Sequence, residues 1–307
     1  MRLTVNRTET AGGHASGLAD NASRLAFIGS EGLGGGLQAL YGLEMGIDAD
    51  AGTTTSPAFR NSYVGLASRR WGTFVMGRLD SSAPAGSPVY SQAIGIVSLA
   101  LSDAGATAIG NSMLNGRNRT SNALGYQSPA LDGFDMRARL YFRGDTAPVT
   151  PGRSEDAARS LDVGVNYQAH ALKAGIGYSQ DHRDGGLADN EFRDKWQAGL
   201  RYEIGPVSPY LLYGQDRYRN TGASRARVAY QVVGAQWVAG AHTVVVNVMR
   251  RDVQASWGAV RRRQQIAYSY ALSKRTALQA FFDNDSVNPD VPGARIRVVG
   301  GGVRHDF

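Results

Sequence analysis

Apolar residues recur at every second position through segment after segment of this chain, with polar residues or glycine between them. From Phe134, one set reads Phe134, Met136, Ala138, Leu140 and Phe142, and the other reads Asp135, Arg137, Arg139, Tyr141 and Arg143. Successive side chains of a strand point to opposite faces, so a period of two sorts these sets apart, whereas a helix would mix them. The same split separates Leu37, Ala39, Tyr41, Leu43 and Met45 from Gln38, Leu40, Gly42, Glu44 and Gly46. It returns after Phe192, where Trp196, Ala198, Leu200 and Tyr202 oppose Lys195, Gln197, Gly199 and Arg201.

Short turns punctuate the runs, among them Glu31 to Gly36, Ser68 to Gly72, Ser128 to Gly133, Gly205-Pro206 and Leu272 to Arg275. Longer polar connections fall at 8–20, 48–58, 80–117, 144–157, 181–191, 218–225, 253–260 and 285–293. Short and long alternate, as in a membrane barrel with tight turns on one rim and loops on the other. Sixteen runs follow, from Arg2–Arg7 to Ala294–Phe307, and an even count lets the sheet close without the open edge that a bilayer does not tolerate. The expected fold is a 16-stranded antiparallel transmembrane β-barrel, one domain spanning residues 1–307. Alternation alone does not say which face is inside, so a soluble all-β barrel or sandwich, its apolar face buried, is the rival.

Composition narrows the function. There is no Cys, which removes disulfides, thiol catalysis and Cys-based zinc sites together. The net charge of +7 comes from 33 basic residues of which Lys173, Lys195 and Lys274 are the lysines. The arginines are spread from Arg2 to Arg304, most at alternate positions in strand-like segments, and form no basic helix, which argues against nucleic-acid binding. No stretch approaches the roughly 20 apolar residues of a membrane helix. The opening Met-Arg-Leu-Thr-Val-Asn-Arg has no secretory signal character, so export is inferred from the barrel pattern.

Several segments resemble the general porins of Gram-negative bacteria, most of all the trimeric porins of Neisseria-, Bordetella- and Comamonas-like β-proteobacteria. They are Ser23 to Ala39 with its Gly-Ser-Glu-Gly-Leu-Gly-Gly-Gly core, Tyr63-Val64-Gly65-Leu66, Gly72 to Arg78, Gly125 to Pro129, and Tyr270 to Thr276. Together they cover nearly the whole chain in the family's order. The resemblance implies a passive, water-filled diffusion channel for small hydrophilic solutes in the outer membrane, built as a homotrimer without catalysis or cofactor. It implies that Phe307 is the terminal aromatic read by the barrel assembly machinery. Against that family, the first run enters at Met1 partway up its strand, which leaves the pairing of the first and last strands an open point.

The resemblance also places a constriction. The connection after the fifth run, 80–117, is expected to fold into the barrel; between Ser81 and Gly116 it holds one acidic residue, Asp103, and no Lys or Arg, and its Ile94–Leu101 run is apolar enough to pack on an inner wall. Arg24, Arg60, Arg78 and Arg119 are the matching positions on the facing wall, with Arg137 and Arg139 as second-rank candidates. Guanidinium groups stay charged at physiological pH and bind carboxylate or phosphate through paired donors, so small anionic solutes are the expected cargo. Arg78 shares parity with Phe74 and Met76, so its inward placement rests on the resemblance, and Ile28 stands where relatives often carry another basic residue.

The five histidines are isolated, with no zinc-site spacing. Gly32 to Gly36 lacks the Gly-Lys-Ser/Thr ending of a phosphate loop and reads as a turn. Two rival functions are a barrel hydrolase, for which no nucleophile and base motif is present, and a surface-binding protein anchored by its barrel, which the short outer loops disfavour.

Overall fold

The computed structural model describes residues 1–80, 83–89, 95–98, 119–142, 158–183, 192–218, 227–254, 259–287 and 295–307. They form seventeen strands: β1 (Arg2–Thr10), β2 (Gly13–Asp20), β3 (Ser23–Gly34), β4 (Leu37–Asp48), β5 (Thr53–Ser68), β6 (Gly72–Leu79), β7 (Thr120–Gln127), β8 (Phe134–Phe142) and β9 (Ala158–Ala169). The remainder are β10 (Leu172–Arg183), β11 (Phe192–Tyr202), β12 (Val207–Tyr218), β13 (Arg227–Ala239), β14 (His242–Gln254), β15 (Ala259–Ala271), β16 (Thr276–Val287) and β17 (Arg295–His305). From β3 to β17 each strand pairs antiparallel with the next, as in Ser23 opposite Ile47 and Ser286 opposite Arg295. Then β17 pairs with β1, Arg2 opposite Arg304, and β1 with β2, which brings the sheet round into a nearly closed barrel.

The seventeenth strand corrects the expected count of sixteen. Residues 13–20, read from the sequence as part of a long connection, turn back at Ala11-Gly12 and pair with β1 from Thr10–Gly13 to Leu3–Asp20. Gly-His-Ala-Ser-Gly-Leu-Ala-Asp carries a single large apolar side chain, so it has no alternation to detect; its strand state comes from backbone pairing with β1. The expected connection at 48–58 likewise contracts, since β5 already begins at Thr53.

Which face is inside is now settled. Phe27, Tyr41, Leu43, Phe134 and Met136 are exposed, Phe27 at 64%, and Leu140 shares their face opposite exposed Leu161. Trp196 lies on the same side, its ring 5.3 Å from that of exposed Tyr213. The opposite face carries buried Glu44, Asp162, Lys195, Asp216, Arg263 and Asp283. A soluble barrel would have the reverse polarity. An apolar outer belt is stable only against lipid, where each Leu- or Phe-sized side chain gains on the order of 2 kcal/mol over exposure to water. Among the described residues no helix is long and apolar enough to cross a membrane; strands do the crossing.

Glycine appears where the backbone or a neighbour needs it. Gly34, Gly35 and Gly36 hold φ of 88°, 59° and 80°, the left-handed region that a tight turn between β3 and β4 requires. Gly42 lies beneath the Tyr63 ring, and any Cβ there would collide with it.

Candidate functional site

The inner wall over β3 to β7 gathers basic side chains around two carboxylates. Glu44, on the inward face of β4, holds the Arg60 Nε at 2.7 Å and the Arg24 Nη1 at 3.6 Å. Asp80, where the chain leaves β6, lies 3.8 Å from the Arg60 Nη2 and 4.0 Å from the Arg119 Nε. Both carboxylates are almost wholly buried, whereas Arg24 keeps 45% of its side chain exposed. The Asp80 backbone is fixed by its N–H donating to Asn61 Oδ1 at 2.7 Å.

Two breaks in the strand rhythm build this cluster. Glu44 pairs with Asn61 but Met45 pairs with Phe59, so Arg60 is an extra residue on β5 and turns towards Glu44 beside Asn61. On β6, Gly77 has φ of 136°, and β7 carries an extra residue between Thr120 and Ala123 with Asn122 at φ 53°. Alternation stops governing Arg78 there. Its Nη1 donates to Ser121 Oγ at 2.7 Å and its Nε to the Phe59 carbonyl at 3.0 Å, and its charge acts on Arg119 together with that of Arg60. Arg24, Arg60, Arg78 and Arg119 are thus brought together.

The second-rank candidates go elsewhere. Arg139 is 1% exposed: its guanidinium donates to Thr120 Oγ1 at 2.8 Å and to the carbonyls of Asp80 at 3.1 Å and Leu79 at 3.4 Å. It clamps the end of β6 to the start of β7, and it has no surface to offer a solute. Polar parity suggested a lining residue because parity does not register what packs on top. Arg137 stays outside the cluster, paired with Asp135 at 3.0 Å. Asp103 and most of 80–117 lie outside the described residues. Phe307 is exposed past the end of β17, its ring 5.0 Å from that of His305.

The described parts of the β6–β7 connection contact inward side chains across the barrel. Ile96 and Val97 share a cluster with Tyr210, Leu212, Tyr230, Val232 and Met249 from β12, β13 and β14. Ser98 is a polar node: Arg201 Nη1 donates to its Oγ at 2.8 Å, and Tyr210 OH and Asn247 Nδ2 both donate to its carbonyl at 2.8 Å. Ser87 donates to Asp162 Oδ2 at 2.6 Å on β9. Sequence reasoning missed Glu44, Asp80 and Ser98. Glu44 stood on the polar face of its run and could have been found by asking which inward carboxylate faces the arginines.

Elsewhere on the inner wall, several basic residues are matched one to one. Arg261 pairs with Asp285 at 2.7 Å, Arg263 with Asp283, and Lys195 with Asp216 at 3.3 Å. The β3–β7 cluster differs, with four guanidinium groups around two carboxylates.

A barrel that is apolar outside and charged within is a channel-forming protein of a membrane crossed by strands. Residues 2–289 match the Gram-negative porin family, and the chain belongs to it. It is an outer-membrane channel of a Gram-negative cell and not an enzyme. An outer membrane porin protein of Bordetella pertussis is 25% identical over 94% of this chain and 83% of its own length. In fold, the chain is similar to the anion-selective porin from Comamonas acidovorans, with a TM-score of 0.79, 22% identity, and coverage of 100% of this chain and 97% of that one. It is also similar to OmpT, an outer membrane protein of Vibrio cholerae solved in a trimer form, with a TM-score of 0.74, 12% identity and coverage of 99% and 97%.

Proposed function

We propose that the channel passes small hydrophilic solutes passively and prefers anions, with 80–117 as the constriction loop, Asp103 as its acidic residue, and Arg24, Arg60, Arg78 and Arg119 on the wall it faces. The observation that carries the reading is the excess of guanidinium over carboxylate at this one place, where Glu44 and Asp80 pair with Arg24, Arg60 and Arg119 and Arg78 adds a fourth charge beside them. Contacts of Ile96, Val97 and Ser98 with the wall of β11 to β14 support an inward course for the loop. A narrow aqueous passage in a low-dielectric wall focuses such a field. The anion selectivity of the structurally similar Comamonas porin agrees with it. The test is the reversal potential of the purified protein in a potassium chloride gradient. Chloride should pass more readily than potassium, and the preference should shrink as the screening length falls from about 10 Å at 0.1 M to about 3 Å at 1 M salt. A cation preference, or none at low salt, would overturn the reading.

The same proposal includes a homotrimer with three separate channels and an assembly signal at Phe307. Leu25, Phe27, Gly29, Ala39 and Val303 give the outer face near β3, β4 and β17 small and apolar side chains, and the Vibrio cholerae protein of similar fold was solved as a trimer. Mass measurement in mild detergent should give three copies. Monomer alone across protein concentrations would count against it.

A further inference from the structure

The described parts of the β6–β7 connection lie over glycines of the inner wall. Gly125 on β7 pairs with Arg139, Gly164 on β9 with Gly177, and Gly199 on β11 with Leu212, all on the inward face. A Cβ on Gly125 would stand 2.9 Å from the Ala85 carbonyl oxygen and 3.1 Å from the Ala85 Cβ. On Gly164 it would stand 2.6 Å from the Pro88 Cβ, and on Gly199 3.1 Å from the Ile96 Cδ1. The contacts advance in step, with residues 85, 88 and 96 meeting β7, β9 and β11 in turn. At each of these three strands, a glycine lies beneath the connection.

Layers of ordinary side chains hold two packed sheets about 10 Å apart. Over glycine, a covering segment reaches the backbone of the wall itself, and the space it gives up stays with the lumen. Ala83 and Ala85 pack among Val75, Ala123 and Tyr141, and Ala85 holds φ of 52°, a left-handed conformation that alanine keeps only where its surroundings impose it. The segment is tied at both ends. Asp80 is held by Asn61 and Arg139, and the Ser98 carbonyl accepts from Tyr210 and Asn247. At Gly164 the wall has no slack to offer, since the Ile176 carbonyl oxygen would lie 2.9 Å from the same Cβ. A segment fixed at its ends and lifted from below can yield only towards the lumen.

We infer, on the reading of 80–117 as the constriction loop, that Gly125, Gly164 and Gly199 set the depth at which this loop is seated, and with it the largest solute that passes. Single-channel conductance and the exclusion limit for polyethylene glycols of graded size test this. In Gly164→Ala the nearest loop atom would stand at 2.6 Å where ordinary contact begins at 3.4 Å, so the loop must yield by about 0.8 Å. Gly125→Ala and Gly164→Ala should each lower the conductance and the exclusion limit, and the double variant should lower both further. Ala85→Gly, which removes the atom at 3.1 Å, should return part of the loss in Gly125→Ala. A double variant of wild-type heat resistance that conducts as well as the wild type, or better, overturns the inference. Ala85→Cys checks the seating with the glycines intact: in a chain otherwise without cysteine, this buried thiol should resist a water-soluble maleimide in the folded barrel, and ready labelling would also overturn it. A bulky thiol reagent on Asp103→Cys should cut the current. An unchanged current there brings down the constriction reading and this inference with it, whereas a cut current beside unaffected glycine variants brings down this inference alone.

Discussion

Replacing Arg24, Arg60 and Arg119 together by glutamine is expected to move the channel from chloride preference towards potassium. The cluster of four guanidinium groups around Glu44 and Asp80 becomes one against two. Each charge about 10 Å from a passing ion contributes about 0.4 kcal/mol at the dielectric constant of water, so three amount to roughly an eightfold change in each ion's local concentration before screening. Glu44→Gln should act in the opposite direction, leaving four guanidiniums around one carboxylate and a stronger chloride preference. These opposed signs separate a local origin from a diffuse one. If the net charge of +7 and the loop mouths set the selectivity, neither variant would change the reversal potential, and the constriction assignment would be refuted even though the protein is a porin.

Arg139→Met should behave quite differently, because the same residue type serves another purpose there. Its guanidinium ties two carbonyls and a hydroxyl at the point where β6 ends and β7 begins, and it lies among the charges of Asp162 and Asp80. Removing a buried charge from such a network leaves its partners without compensation, at a cost of about 3–5 kcal/mol. The expected result is a marked fall in the temperature at which the barrel loses its heat-resistant gel mobility, together with noisier single-channel current as the root of the connection loosens. Arg139→Lys should not restore stability, since one ammonium cannot span the three acceptors that the planar guanidinium reaches. A selectivity change as large as that of the triple arginine variant, with unchanged heat resistance, would return Arg139 to the lumen.

The barrel was legible in the sequence because a membrane wall imposes one pattern on every strand. Phe27, Tyr41, Leu43, Phe134 and Met136 all face outward as their parity required. Legibility failed where backbone hydrogen bonding, not side-chain partition, decides the state. Residues 13–20 are mostly small, so nothing in them distinguishes strand from loop until β1 lies alongside. At the site, a period of two assumes unbroken register, and both Arg60 and Arg78 sit at breaks in it. Arg139 shows the converse. Its parity was read correctly as inward, but burial beneath neighbouring chain converts an inward charge into a clamp.

The junction between β1 and β17 has a consequence for the order of biogenesis. The Met1 amine donates to the His305 carbonyl at 2.7 Å, and Leu3 to Glu9 run beside Val303 to Arg297. Among the described residues these are the most distant partners, separated by 304 positions. Bringing the ends of so long a flexible segment together carries an entropic cost of about 5 kcal/mol, which no hairpin elsewhere in the ring meets. β1 must therefore wait for β17. Until β17 arrives, the edge of β1 from Arg2 to Glu9 presents bare amide and carbonyl groups, a template for any stray strand in the periplasm. Escorting the unfinished chain matters most for β1, and a delay before β17 crosses endangers that strand.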